Sequence, residues 1–255
     1  MKKALLTFAL IASVLAAAPA GAGDVPDAIA AAVGHADRPD ADKTRDAARK
    51  PDKVLAFFGI APGMTVLDLF AGGGFYTEIL ARLVGPDGKV TAHNNHAYLN
   101  YARKDIGPRY ADGRLAEVER VTIEANELEL EENSYDAVLM ILTYHDIYLT
   151  SEPEDWPVID GPRLLGAIVK GLKPGGVLGI VDHRARAGAP ATTGDSLHRI
   201  DPEIVKTELA AAGLVFEGAA DFLANPEDDL DKPMYAEGIR GKTDRFVFRF
   251  RKPEG

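Results

Sequence analysis

Apolar and polar positions along this chain fall into blocks whose spacing switches between helical and extended periods. Pro51 opens the first clear block, in which Val54, Leu55, Phe57 and Phe58 share a helical face and Gly59 ends the run. Met64 to Phe70 (MTVLDLF) is a short apolar stretch followed by the glycines of AGGG, after which Phe75, Ile79, Leu80 and Leu83 recur at helical spacing. The pattern predicts strand, glycine turn and helix. Gly85-Pro86 and Asp87-Gly88 then turn the chain into a second strand, Lys89 to His93. Val121 to Glu124, Ala137 to Leu142 and Val177 to Val181 read as further strands, with room for helices between them. One such helix, Pro162 to Leu172, is closed by KPGG.

Strands that alternate with helices predict βαβ units. The tail departs from this rhythm. Asp201-Pro202 carries the cap and first-turn proline of a helix that ends at Ala210 to Gly213. Val215 to Phe222 and Arg245 to Phe250 (RFVFRF) then read as an antiparallel pair at the sheet edge, separated by a long irregular loop, Asn225 to Asp244. The expected fold is α/β: a Rossmann-like, doubly wound, mostly parallel seven-stranded sheet with an antiparallel last strand, one domain over residues 51–255. Residues 23–50 are Ala- and charge-rich and read as a loosely packed lead-in. Residues 1–22 pair Lys2 and Lys3 with an apolar run from Ala4 to Ala18 and small-residue sites around Ala20 and Ala22, the pattern of a cleaved signal peptide. A periplasmic or secreted bacterial protein is expected, without stable membrane insertion after cleavage, because Pro19 and Gly21 cut the apolar run short of a span.

Composition narrows the chemistry. The 255 residues include no cysteine, which excludes disulfides, thiolate metal sites and a cysteine nucleophile. Removing Lys2 and Lys3 with the leader leaves 27 basic residues against 39 acidic ones, a net charge of −12. A field of that sign disfavours nucleic acid and favours a small-molecule substrate.

The stretch VLDLFAGGGFYTEIL places Asp68 in the first strand and Gly72 and Gly74 in the turn, where a missing Cβ admits close approach to a helix N-terminus. It resembles the first motif of class I S-adenosylmethionine-dependent methyltransferases through Val66, Leu67, Asp68, Gly72 and Gly74, with Phe70 in place of the first glycine. The resemblance implies S-adenosylmethionine as cofactor, with the glycine turn under its methionine part. A carboxylate that usually grips the ribose is replaced here by Asn94, an amide able to bond hydroxyls. The acid often found near the adenine amino group falls on Glu124, and GLKPGGVLGIVD is similar to the turn and strand after the family's fourth helix. FFGIAPGM, AGGGFYTE, LTYHD, IVDH, LHRIDP and GKTDRFVFRFRKP further resemble a group of exported bacterial methyltransferases of unassigned substrate.

Ligands of open α/β sheets bind beyond the carboxyl ends of the strands. Two of those ends carry paired polar groups: Tyr144, His145 and Asp146 after one strand, Asp182 and His183 after another. His145 is the first candidate for a base that deprotonates the acceptor, oriented by Asp146 or Asp182, and His183 is the second. Tyr144, His198 and Arg199 are candidates for binding the acceptor. Two His with two Asp also permit an N/O metal site, but no H-x-x-x-H or H-E-x-x-H spacing supports one and no metal is assigned. An exported binding protein that has lost catalysis, motivated by Phe70 and Asn94, and a metal-dependent hydrolase are the alternatives.

Overall fold

A computed structural model describes residues 24–150 and 156–255. The leader reading on residues 1–22 lies outside the described residues. Seven strands, β1 (Thr65–Leu69), β2 (Lys89–Asn94), β3 (Glu119–Thr122), β4 (Tyr135–Ile141), β5 (Leu172–His183), β6 (Val215–Ala220) and β7 (Arg245–Arg251), form one sheet in the order β3-β2-β1-β4-β5-β7-β6. All neighbouring pairs are parallel except those of β7, which runs antiparallel to both β5 and β6. The late pair therefore forms as expected, with β7 inserted between β5 and the edge strand β6. The chain reverses on either side of β1, which places a topological switch point between β1 and β4.

Helices cover both faces, and one apolar cluster lies on each. Val54, Leu55 and Phe58 of α3 (Pro51–Phe58) pack with Ile79 and Leu80 of α4 (Phe75–Val84) on one side. Leu164, Leu165 and Ile168 of α6 (Gly161–Gly171) pack with Val205 and Leu209 of α8 (Pro202–Ala211) on the other. Asp201 caps α8 by accepting from the Glu203 amide at 3.0 Å, so the cap expected there forms. Close packing explains one buried strand glycine: a Cβ on Gly179 would meet the Phe58 ring at 2.6 Å.

The segment read as a loosely packed lead-in is instead two helices, α1 (Asp24–Val33) and α2 (Asp40–Arg49). Ile29 and Ala32 enter the core, but α2 is anchored mainly by charge. Arg38 makes a bidentate pair with Asp46, both bonds 2.8 Å, and Arg49 lies 4.6 Å over the Phe75 ring. Hydrophobic spacing carries no sign of such anchoring, because the buried groups are ionic. No helix among the described residues is long and apolar enough to cross a membrane.

Candidate active site

β1 ends in a turn that places Phe70, Gly72 and Gly74 all at positive φ, 55°, 55° and 79°. Asp68, one turn beneath, is buried and accepts from Thr77 Oγ1 of α4 at 2.6 Å. Burial raises its carboxyl to about 6 in spite of that bond. The three glycines differ in what they face. A Cβ on Gly73 or Gly74 would lie 2.6 Å from Asp105 or Arg109, both on α5 (His96–Arg109), so these two make room for the protein's own side chains. Gly72 faces open space. Arg109 bonds the Gly73 carbonyl, Glu78 of α4 at 2.6 Å and Asp42 of α2 at 2.7 Å, tying the turn to the N-terminal helices. The Asn94 amide is committed to the same turn: its Oδ1 accepts from Gly72 N at 2.8 Å and its Nδ2 donates to Gly72 O at 3.1 Å.

An aromatic wall borders the turn. The Phe70 ring stacks on Tyr98, 5.3 Å between centroids, and meets His93 edge-on; Tyr98 in turn meets Trp156 at 5.2 Å. Several polar atoms here are buried without a partner among the described residues: His93 Nδ1, Asn95 Nδ2, Glu124 Oε2, Thr143 Oγ1 and Trp156 Nε1. The other such atoms are all arginine Nε groups. The first four belong to residues at or just beyond the carboxyl ends of β2, β3 and β4, and Trp156 packs on Tyr98. Burial holds the His93 ring near 4, hence neutral, and its Nε2–H donates to Ile123 O at 2.9 Å, which leaves Nδ1 as a bare acceptor. Glu124 Oε1 is taken by His96 Nδ1 at 2.7 Å, while Oε2 is not. Leaving a buried polar atom unpaired costs about 1–3 kcal/mol. A cofactor with ribose hydroxyls, an adenine amine and a charged amino acid end offers partners of the right kinds, so the residues present fit S-adenosylmethionine.

Beyond Tyr98 lies the carboxylate and imidazole assembly. Tyr98 Oη donates to Asp146, whose Oδ1 sits 3.1 Å from His145 Nε2. His145 Nδ1 and backbone N donate to the two oxygens of Asp182 at 2.7 and 2.8 Å, and the His183 amide donates to Asp182 at 2.7 Å. His198, at φ 50° after α7 (Thr193–Leu197), completes the group with its ring 5.3 Å from that of His145. Burial alone would lower the His145 imidazole, but Asp146 and Asp182 outweigh it and raise it to about 10. In this state the ring is already protonated and acts as a donor rather than as the base expected of it. Burial and the charge on His145 push His183 well below its ordinary value, and its Nδ1 lies 2.7 Å from Thr243 Oγ1.

The structure thus brings His145, Asp146, Asp182, His183 and His198 together and places Gly72, Asn94 and Glu124 at or just beyond the carboxyl ends of β1, β2 and β3. Two expected acceptor contacts lie elsewhere. Tyr144 is fully buried, its hydroxyl bonded to Glu208 of α8 at 2.6 Å. Arg199 is also fully buried and is spent on Asp228, at 2.7 and 3.1 Å, and on the carbonyls of Lys232 and Arg184, so it pins the Asn225 to Asp244 loop. Sequence reasoning missed Tyr98, His93 and Thr143, which sit in ordinary helix, strand and loop contexts. Their only sequence signal is position, at or within a few residues of a strand's carboxyl end.

The sequence family described as "Methyltransferase domain" matches residues 60–235. The ubiquinone/menaquinone biosynthesis C-methyltransferase UbiE of Idiomarina loihiensis is 30% identical over 119 residues, covering 46% of this chain and 42% of that protein. A sterol 24-C-methyltransferase of Yarrowia lipolytica is 31% identical over 142 residues, 54% of this chain and 32% of that one, so the matches span less than half of these relatives' own length. A crystal structure of a SAM-dependent methyltransferase from Aquifex aeolicus superposes with a TM-score of 0.54 at 26% identity, covering 79% of this chain and 88% of that one. Family match and sheet order agree, and the chain belongs to the methyltransferase domain family.

Proposed function

We propose that this enzyme methylates a small-molecule acceptor held between the glycine turn and the His145, Asp146 and Asp182 assembly. The observation that carries this reading is the run of unpartnered polar atoms from His93 to Thr143, which ends two residues short of His145. S-adenosylmethionine supplies an electrophilic methyl group on a sulfonium. His93 Nδ1, Asn95 Nδ2 and Glu124 Oε2 would hold the cofactor's polar groups beside the open face of Gly72, while Phe70, Tyr98 and Trp156 would keep water from it. Asp146 is held rigidly by Tyr98 and by His145, itself fixed by Asp182, and its remaining acceptor lone pairs would hydrogen-bond the acceptor and fix its orientation. Methyl transfer is an in-line displacement, for which fixed orientation supplies much of the rate.

The acceptor class is supported by the curated relatives, whose names are those of ubiquinone/menaquinone biosynthesis and sterol methylation, and by the acidic balance of the chain. The leader pattern supports action outside the cytosol, in the periplasm or medium. N-terminal sequencing of protein recovered from the periplasm tests that, a start near Gly23 being expected and retention of Met1 in the cytosol contradicting it. The acceptor class is tested by incubating enzyme and cofactor labelled in the methyl group with fractionated extract. Label is expected among small molecules. Transfer only to protein or nucleic acid overturns the reading.

A further inference from the structure

We propose that His145, Asp146 and His198 form a binding site for one divalent first-row transition-metal ion of the zinc or manganese kind. Three ligand atoms, one from each residue, lie within 4.8 Å of one another. His145 Nε2 is 3.1 Å and His198 Nδ1 3.9 Å from the same Asp146 oxygen. Bonds of about 2.0–2.2 Å in tetrahedral geometry separate ligand atoms by about 3.4 Å. The two separations from Asp146 differ from this by about half an ångström or less, the third is at most 4.8 Å, and binding would displace the proton that His145 Nε2 shares with Asp146. Two imidazoles and one carboxylate suit zinc, manganese or iron, and the set leaves coordination positions open.

The surroundings are those of a built site. In metal centres the far nitrogen of a ligating imidazole is held by a carboxylate, and the ligating carboxylate is itself hydrogen-bonded. Here Asp182 takes His145 Nδ1 at 2.7 Å, which turns Nε2 toward Asp146, and Tyr98 Oη donates to the second Asp146 oxygen. The third residue is delivered by backbone design. A Cβ on Gly194 would lie 2.6 Å from the His145 carbonyl, so only glycine lets α7 settle on the His145 turn. Its C-terminus then ends with His198 at φ 50°, which carries that ring over His145, with Tyr235 on its outer side at 5.5 Å. Asp146 and Asp182 are buried together at 5% and 0% exposure, a concentration of negative charge that a divalent cation offsets.

This inference does not rest on the proposed acceptor, because metal binding is read without cofactor or acceptor. The test is titration of the untagged, chelator-treated protein with Co²⁺ alone, followed by visible absorption, and then displacement by Zn²⁺. One equivalent is expected to give ligand-field bands that Zn²⁺ abolishes. His198→Asn removes a ligand while keeping a side chain that tolerates this backbone conformation. Tyr98→Phe removes only the hydroxyl that steadies Asp146, and is expected to weaken binding about 10–100-fold, with His198→Asn weakening it further. Absence of saturable wild-type binding below millimolar Co²⁺ overturns the proposal. So does a His198→Asn protein, folded by circular dichroism, that binds as tightly as the wild type.

Discussion

Replacing Arg109 with methionine tests how the glycine turn is held. The side chain is 4% exposed and bonds three groups: the Gly73 carbonyl, Glu78 and Asp42. Removing one partner of a buried ion pair costs about 3–5 kcal/mol when the other charge is left uncompensated. Compensation here is partial. Glu78 keeps Arg82 and Arg114, at 2.8 and 2.7 Å, and Asp42 keeps Arg45. The expected loss is therefore at the lower end, about 3 kcal/mol, or about 6–12 °C in Tm for a domain of this size. Urea unfolding of wild type, Arg109→Met, Asp42→Asn and the double variant measures it. The single losses should fail to add, with a coupling of about 1–3 kcal/mol, because the two side chains touch. An Arg109→Met loss below about 1 kcal/mol, or strict additivity with Asp42→Asn, refutes the claim that α2 clamps the turn through this pair.

Other consequences follow from single groups. The folded state binds a proton on Asp68 more tightly than the unfolded chain does, from 3.8 up to about 6, so wild type should lose about 2 kcal/mol relative to Asp68→Asn as pH rises from 4 to 7; parallel pH profiles of unfolding free energy for the two proteins contradict this. Arg199→Met strands Asp228, whose side chain is 1% exposed, and should cost about 3–5 kcal/mol and open residues 225–244 to proteolysis; an unchanged cleavage pattern argues against the pinning role. Phe70→Gly restores the residue type that φ 55° favours, worth about 1–2 kcal/mol, yet loses a buried ring worth about 3–5 kcal/mol, so thermal unfolding should show a net loss of about 2–3 kcal/mol. A more stable Phe70→Gly enzyme means the ring is not part of the wall.

The sheet was legible because its strands are apolar runs cut by glycine and proline, as at Pro62-Gly63 and Gly85-Pro86, and those signals are local. The inserted position of β7 was not, since RFVFRF pairs equally well as an edge or an interior strand until β5 and β6 are placed. The site was legible as a set of strand ends: YHD and DH lie where an open sheet binds ligands, and they do meet. What each polar group does there depends on partners far along the chain. Tyr144 is claimed by Glu208 and Arg199 by Asp228, while Asn94 is claimed by Gly72. The buried charges of α2 were hidden for the same reason, since Asp42 looks like any exposed helical acid until Arg109 is brought to it.

The central claim is that the carboxyl ends of β1 to β4 bind S-adenosylmethionine over Gly72 through the unpartnered atoms at the strand ends. Calorimetric titration of the protein with S-adenosylmethionine and with S-adenosylhomocysteine tests it most directly. Both should bind at one equivalent, and both Glu124→Ala and Asn95→Asp, the latter keeping the Oδ1 that caps α5 while losing Nδ2, should weaken them about tenfold, the worth of one hydrogen bond. No heat from either ligand at millimolar concentration, or unchanged affinity in both variants, contradicts the account.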